Sequence, residues 1–412
     1  MTVHSAVRAA TFPAARRIVE RHVGAIDGLE NVPRSGAFVL APNHTSYFDH
    51  FVAITLVELV RGVPLWILTK QESFRRAPRR VWTKAWYGIP VDRDRPGPST
   101  VRAVQKVLSG GEGLGVYPEG TRGSEDVLLP FKAGAFRFAM RGGVPVIPMA
   151  IVGASTVLPP GSLRFRRGRV SVAIGEPIWP EPGLTKTDQA EDLASRCRAA
   201  IDDLLVRAAR NARDPDDARL ALAGAELVDR IIVDNLSDDA VLARERVTRT
   251  AALTRFYLGV APVDPHLLAQ AARIRGLRAA AAGVLTRLAM AHGVRRAAER
   301  VLLLDPDEYT AHYVLGRWYL RAPRLFGGSS STAEAHFRAA GAVAPPGDSR
   351  ALVGLGDALR TQGRTVEAAR SIDAAIAATA TAADDPRASL RTARLRAQLI
   401  SLEVDHADAG HD

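Results

Sequence analysis

Cysteine is almost absent from this chain: Cys197 is the only one in 412 residues. An intrachain disulfide and a cysteine-based zinc site are thereby excluded, and a reducing compartment fits. Long apolar runs are also missing. The best stretch, residues 51–68, is interrupted by Glu58, Arg61 and Pro64, whereas a membrane-spanning helix needs about 20 consecutive apolar residues. No secretory leader is visible, because residues 1–21 carry Arg8, Arg16 and Arg17 without an apolar core. The ten histidines are scattered, so no metal-ligand spacing emerges. Phosphate-loop, nucleophile-elbow and zinc-protease patterns do not occur either. The expectation is a cytoplasmic chain, or one held peripherally on the cytoplasmic face of a membrane.

Hydrophobic residues make up 47% and charged residues 24%, which is the composition of a folded protein, and the length suits two or three domains. The net charge is +11, from 55 basic and 44 acidic residues. Of these, 29 basic and 19 acidic residues fall within residues 1–210, so the positive excess belongs to the first half. Such a surface suits nucleic acid, anionic lipid or a phosphorylated substrate.

Apolar runs at 37–41, 64–69, 114–117, 144–152 and 170–174 read as strands. They alternate with helical patterns at 5–23, 49–60, 99–108, 131–140 and 191–210, which predicts an α/β domain over residues 1–210. Two prolines in 144–152 suggest an edge or irregular strand. Residues 211–217 are polar and contain Pro215, and read as a linker. Residues 218–412 are rich in alanine and arginine, with apolar residues at helical spacing and no convincing strand. Within them, Leu315, Gly316 and Tyr319 recur as Leu355, Gly356 and Leu359. Ala368, Ile372 and Ala375 follow the second copy, and Phe337, Ala340 and Pro345 follow the first after a glycine-serine insertion. The pattern resembles degenerate tetratricopeptide repeats over about residues 290–382. A generic helical bundle is the alternative.

The first chemical constellation is Asn43, His44 and Asp49. Histidine is the natural proton acceptor near neutral pH, and a carboxylate on its far ring nitrogen would fix the tautomer. Five residues apart on one helix, the two side chains would diverge. They meet only if His44 lies in a strand-to-helix turn just ahead of the helix. Alone, the spacing fits a capping turn as well, and His50 reads as a bystander. The second is Gly88 to Asp94, a short apolar run that delivers Arg93, whose planar fork suits phosphate. The third is Tyr117 to Gly123, where a strand breaks at Pro118. There Glu119, Gly120, Thr121 and Arg122 present a carboxylate, backbone amides, a hydroxyl and a guanidinium, with Lys132 further on. Finally, residues 74–87 combine Arg75, Arg76, Arg79, Arg80 and Lys84 with Phe74, Trp82, Trp86 and Tyr87. Arginines meet lipid phosphates while tryptophans sit at headgroup level, so Arg75, Arg76, Arg79, Arg80, Trp82, Lys84 and Trp86 are the candidate membrane contacts.

Together the blocks Asn43-His44 to Asp49, Gly88 to Arg93, Tyr117 to Arg122, and Val144 to Pro148 resemble the four ordered motifs of the glycerolipid acyltransferase family typified by 1-acylglycerol-3-phosphate acyltransferase. The resemblance covers roughly residues 25–180. Pro90 stands where many members have phenylalanine, and Gly123 where serine is common. The resemblance implies an α/β acyltransferase domain, a mixed sheet flanked by helices, followed here by an all-α extension. It implies transfer of a fatty acyl group from acyl-CoA or acyl carrier protein to the hydroxyl of a lysophospholipid, foremost 1-acylglycerol-3-phosphate, without an acyl-enzyme. His44 would be the general base and Asp49 its orienter. Asn43, Arg93, Glu119, Gly120, Thr121, Arg122 and Lys132 would form the acceptor site. No metal or redox cofactor is implied. The partners would be lipid, thioester, an anionic membrane and a protein on the helical extension, not nucleic acid. Two other readings stay open: a glycolipid or amino-acid lipid acceptor, and a non-catalytic interaction protein docked on lipid.

Overall fold

The computed structural model describes residues 2–92, 96–123, 128–213, 217–234 and 240–380. Contacts divide the chain into two compact units. One comprises Met1–Leu236 with Thr248–Pro262, and the other Ser237–Val247 with Val263–Asp412.

The first unit is built on a seven-stranded sheet. Its strands are β1 (Val23–Asp27), β2 (Phe38–Pro42), β3 (Leu65–Lys70), β4 (Gly88–Val91), β5 (Gly113–Gly115), β6 (Val146–Val152) and β7 (Val170–Ile174). The spatial order is β1-β7-β6-β2-β5-β3-β4. All pairings are parallel except β6 with β7. Every residue of β2 is buried, as befits an apolar run covered on both faces of a sheet.

The first unit's helices are α1 (Val3–His22), α2 (Phe48–Arg61), α3 (Ala77–Ala85), α4 (Pro98–Ser109), α5 (Arg137–Gly142), α6 (Ala154–Val157), α7 (Lys186–Arg213) and α8 (Asp217–Asp234), together with the part of α9 (Ala240–Val260) from Thr248 onward. On α7, Leu193, Cys197, Ile201, Leu204 and Ala208 recur at three- and four-residue spacing and are buried, and the helix packs on β6 and β7.

Two expectations fail here. The strand carrying Pro148 is no edge: β6 lies between β7 and β2. Its missing N–H is tolerated because Pro148 falls just past the end of the β7 register, where its carbonyl accepts from the Gly175 N–H at 3.0 Å. The first unit also continues past residue 210. Asn211 to Arg213 is the last turn of α7, and 214–216 of the expected linker lie outside the described residues.

The cause is a buried carboxylate. Asp27, at the end of β1, is 5% exposed. It accepts from both terminal nitrogens of Arg219 on α8 at 3.0 Å and from Asn211 at 3.3 Å, and it forms an ion pair with Arg207 Nε at 3.1 Å. On α8, Leu220, Ala221, Leu227, Val228 and Ile231 are buried as well.

Burial pushes the Asp27 carboxyl up, but Arg219, Arg207 and Asn211 outweigh it and hold the group below the usual range. A lowered folded-state value means stability that is present above the unfolded value, about 3.9, and lost as pH falls through the folded one. Asp27→Asn should therefore cost about 1–3 kcal/mol near neutral pH. In urea unfolding, the gap from the unsubstituted chain should persist down to about pH 5 and shrink below about pH 4. A gap independent of pH would show that packing, not charge, ties α8 to the sheet.

The second unit contains α10 (Pro265–Ala280), α11 (Val284–Leu302), α12 (Tyr309–Arg321), α13 (Ser330–Ala342), α14 (Arg350–Thr361) and α15 (Thr365–Ala380), with no strand among its described residues. Gly316 of α12 and Gly356 of α14 lie against Phe337 and Ile372, where an added Cβ would come within 2.7 and 2.9 Å. The matching positions are Ala333, Phe337 and Ala340 with Ala368, Ile372 and Ala375, all buried. Pro345 does not belong to that set, since it lies beyond α13 in an exposed turn.

Candidate active site

Parallel strands deliver their following loops to one edge of the sheet, and the site lies at that edge. β2 ends at Pro42 and α2 begins at Phe48, so His44 sits in the intervening turn and Asp49 in the first helical turn. His44 Nδ1 is 3.0 Å from Asp49 Oδ2. The same oxygen accepts from the backbone N–H groups of Thr45 and Ser46, each at 2.8 Å. Asp49 is fully buried and His44 is 7% exposed. A buried carboxylate that gathers three donors fixes the Nδ1–H tautomer, which makes Nε2 the basic nitrogen.

Three aromatic rings meet at His44. Tyr117 stacks on His44 with centroids 4.1 Å apart and on His50 at 4.7 Å, while the two imidazoles are 5.1 Å apart. His50 is thus no bystander, since it lines the same cavity as His44. Burial, then the Asp49 charge, pushes the Tyr117 phenol well up, so it stays neutral beside His44.

The cavity has a volume of about 260 Å³. His44, His50, Lys70, Arg122, Lys132 and Arg137 all line it, and no carboxylate side chain does among the described residues. Arg122 lies 4.2 Å above the Tyr47 ring, and its buried Nη1 has no hydrogen-bond partner among the described residues. Gly120 has φ +71, and an added Cβ would meet the Lys132 side chain at 3.2 Å, so this turn requires glycine. Thr121 also lines the cavity. Lys70, His50 and Arg137 were not expected here. Lys70 was discoverable, because it ends a parallel strand, and residues at such ends face the ligand edge.

Two expected acceptor contacts serve a different purpose. Asn43 is 2% exposed. Its amide donates to the Ile151 carbonyl at 3.1 Å and accepts from the Ile151 N–H at 2.7 Å, so it clasps β6 rather than lining the cavity. Glu119 is 5% exposed. Its Oε1 accepts from the His44 N–H at 2.8 Å and its Oε2 from the Leu129 N–H at 3.0 Å. Gly123 N–H in turn donates to the His44 carbonyl at 2.8 Å. Burial pushes the Glu119 carboxyl up against the pull of its two amide donors. Both oxygens are engaged by backbone, which leaves Glu119 as a brace for the His44 peptide. Arg93 lies outside the described residues.

Of the expected membrane contacts, Arg75, Arg76, Arg79, Arg80 and Lys84 are exposed, and Trp82 is 43% exposed. Trp86 is the exception. It is 6% exposed, packed on Phe12, Phe51 and Trp82 with the Arg8 guanidinium 4.3 Å above it. It anchors α3 and α1 instead of facing out.

Residues 25–152 match the family model described as Acyltransferase. The 1-acyl-sn-glycerol-3-phosphate acyltransferase of Bacillus subtilis is 36% identical over 149 residues, which cover 36% of this chain and 70% of that protein. The Saccharomyces cerevisiae protein of the same description is 31% identical over 184 residues, covering 43% of this chain and 58% of its own length. The crystal structure of the 1-acyl-sn-glycerophosphate acyltransferase from Thermotoga maritima aligns with a TM-score of 0.38 at 22% identity, over 48% of this chain and 80% of that one.

Proposed function

The chain belongs to the 1-acylglycerol-3-phosphate acyltransferase family, and from that premise we propose that it transfers a fatty acyl group from a thioester, acyl-CoA or acyl carrier protein, to the hydroxyl of 1-acylglycerol-3-phosphate, giving phosphatidic acid. The observation that carries this reading is the His44–Asp49 pair set at a cavity ringed by cations.

In the reaction, His44 Nε2 takes the proton of the acceptor hydroxyl as its oxygen attacks the thioester carbonyl carbon. The tetrahedral oxyanion collapses, the C–S bond breaks, and the thiolate leaves with a proton returned by the imidazolium. Asp49 stabilises the imidazolium in between. Cys197 takes no part, because it is fully buried and burial pushes its thiol up. Lys70, Arg122, Lys132 and Arg137 surround the cavity and suit a phosphate on the acceptor. No metal or redox cofactor enters this chemistry. The exposed arginines and Trp82 of α3 would hold the enzyme peripherally on anionic lipid. The second unit would supply a protein contact.

The test is incubation of the purified chain with acyl-CoA or acyl carrier protein and a panel of lyso-acceptors, with products read by lipid mass spectrometry. Acylation confined to glycolipid or amino-acid lipid acceptors would overturn the acceptor, and no acylation at all would overturn the reaction. Arg122 offers a sharper measurement. Arg122→Ala should lower use of 1-acylglycerol-3-phosphate by about tenfold or more, the scale of a charge-assisted hydrogen bond. Use of the dephosphorylated acceptor should change little. Equal losses on both would make Arg122 structural.

A further inference from the structure

The loop over residues 159–169 joins α6 to β7 at the same sheet edge as the cavity. Its tip is unusual in composition and in placement. Leu163 is 93% exposed and Phe165 41%. Arg164, Arg166, Arg167 and Arg169 are exposed around them, and residues 153–169 contain no acidic residue.

The loop is braced, not frayed. Arg166 N–H donates to the Val157 carbonyl at 2.8 Å, Ser162 N–H to Pro159 at 3.0 Å, and Arg164 N–H to Ser162 Oγ at 3.0 Å. Beneath it, Phe165 packs edge-on against Phe48 at 5.6 Å and stacks with His22 at 6.4 Å. His22 Nδ1 lies 2.9 Å from the Gly168 carbonyl. The turn that holds His44 is tied to the base of this loop, because Ser46 Oγ donates to the Leu158 carbonyl at 2.6 Å. Leu163 is therefore held out in water by a structured base, inside a ring of arginines.

Sheet order places this loop opposite α3. The loop follows β6, while Arg75, Arg76, Arg79, Arg80 and Trp82 follow β3, and β2 and β5 with the site loops lie between them. At a strand spacing of about 4.8 Å, the two patches flank the cavity roughly 15 Å apart. An apolar tip among cations matches a bilayer interface, where leucine enters the acyl boundary and arginine stays at the phosphates.

We propose that residues 159–169 form a second membrane anchor, which inserts Leu163 into an anionic leaflet so that the cavity mouth meets the bilayer from both sides. The lipid-acceptor reading supplies the reason for that orientation, while the test reads binding without turnover.

The full chain is floated with phosphatidylcholine vesicles, with and without phosphatidylglycerol. Leu163→Ser should lower partition to the anionic vesicles about tenfold, the scale of one buried leucine. Changing Arg164, Arg166 and Arg167 together to glutamate should lower it further, by roughly fivefold for each cation lost. Because Cys197 is buried, L163C provides one accessible thiol for a polarity-sensitive dye. Its emission should shift to the blue on anionic vesicles, while the same dye on V206C, at a position 72% exposed on α7, should not shift. Unchanged partition of both variants overturns the proposal. So does an unshifted dye at position 163, which would give the loop to an acidic protein or nucleic acid. Normal vesicle binding in a chain that shows no acyl transfer would leave the anchor standing and sink the enzymatic reading alone.

Discussion

His44→Ala should lose at least about 100-fold in turnover, the usual scale for a positioned general base, while the chain stays folded. The geometry makes the loss specific. Asp49 Oδ2 would keep its two bonds from the Thr45 and Ser46 amides, so the turn between β2 and α2 retains its own scaffold without the imidazole. What disappears is Nε2, the group proposed to take the proton of the acceptor hydroxyl. Asp49→Asn should cost as much or less, because the substituted amide leaves the imidazole in place while removing the charge that stabilises its protonated form. Steady-state turnover, with circular dichroism and thermal midpoints on the same preparations, measures both. A well-folded His44→Ala protein with near-normal turnover would sink the general-base mechanism.

Some of this was legible in the sequence because it is local. A histidine and an aspartate five residues apart meet only across a strand-to-helix turn, and the flanking proline and hydroxyl residues mark one. The alternation of apolar runs and helical patterns likewise points to a sheet with helices on its faces. What could not be read depends on partners far along the chain. Asn43 and Glu119 look like substrate ligands because they are polar residues within a motif. Yet Asn43 is occupied by Ile151, 108 positions away, and Glu119 by His44, 75 positions away. β1 was missed for a different reason: it follows α1 without a break, so no turn residue marks its start. The unit boundary was misplaced because a polar stretch with a proline suggests a linker, whereas the pairing of Asp27 with Arg207 and Arg219 leaves no periodic trace. Lys132 and Arg122 could be placed near one another from their turns. Lys70 could have been read from the end of its strand, whereas Arg137 needed the strand order.

Glu119→Gln should split the kinetic constants in a way that a substrate ligand would not. Its carboxylate bridges two backbone N–H groups, those of His44 and Leu129. An amide has one acceptor oxygen, so its NH2 must face one of these donors. The brace on the His44 peptide is then lost or turned outward. A misplacement of the base by about 1 Å can cost on the order of 100-fold in rate, and kcat should fall by about 10- to 100-fold. KM for 1-acylglycerol-3-phosphate should stay within about twofold, because uniform binding is untouched when no contact with the acceptor is removed. Arg122→Ala should show the converse, with the loss chiefly in KM for the phosphorylated acceptor. Glu119→Asp is too short to span both amides and should resemble Glu119→Gln. Each variant should also lose some stability, about 1–3 kcal/mol for a buried donor left without its partner, which urea unfolding reads separately from kinetics. A Glu119→Gln enzyme with normal kcat and a raised acceptor KM would place this carboxylate on the substrate after all.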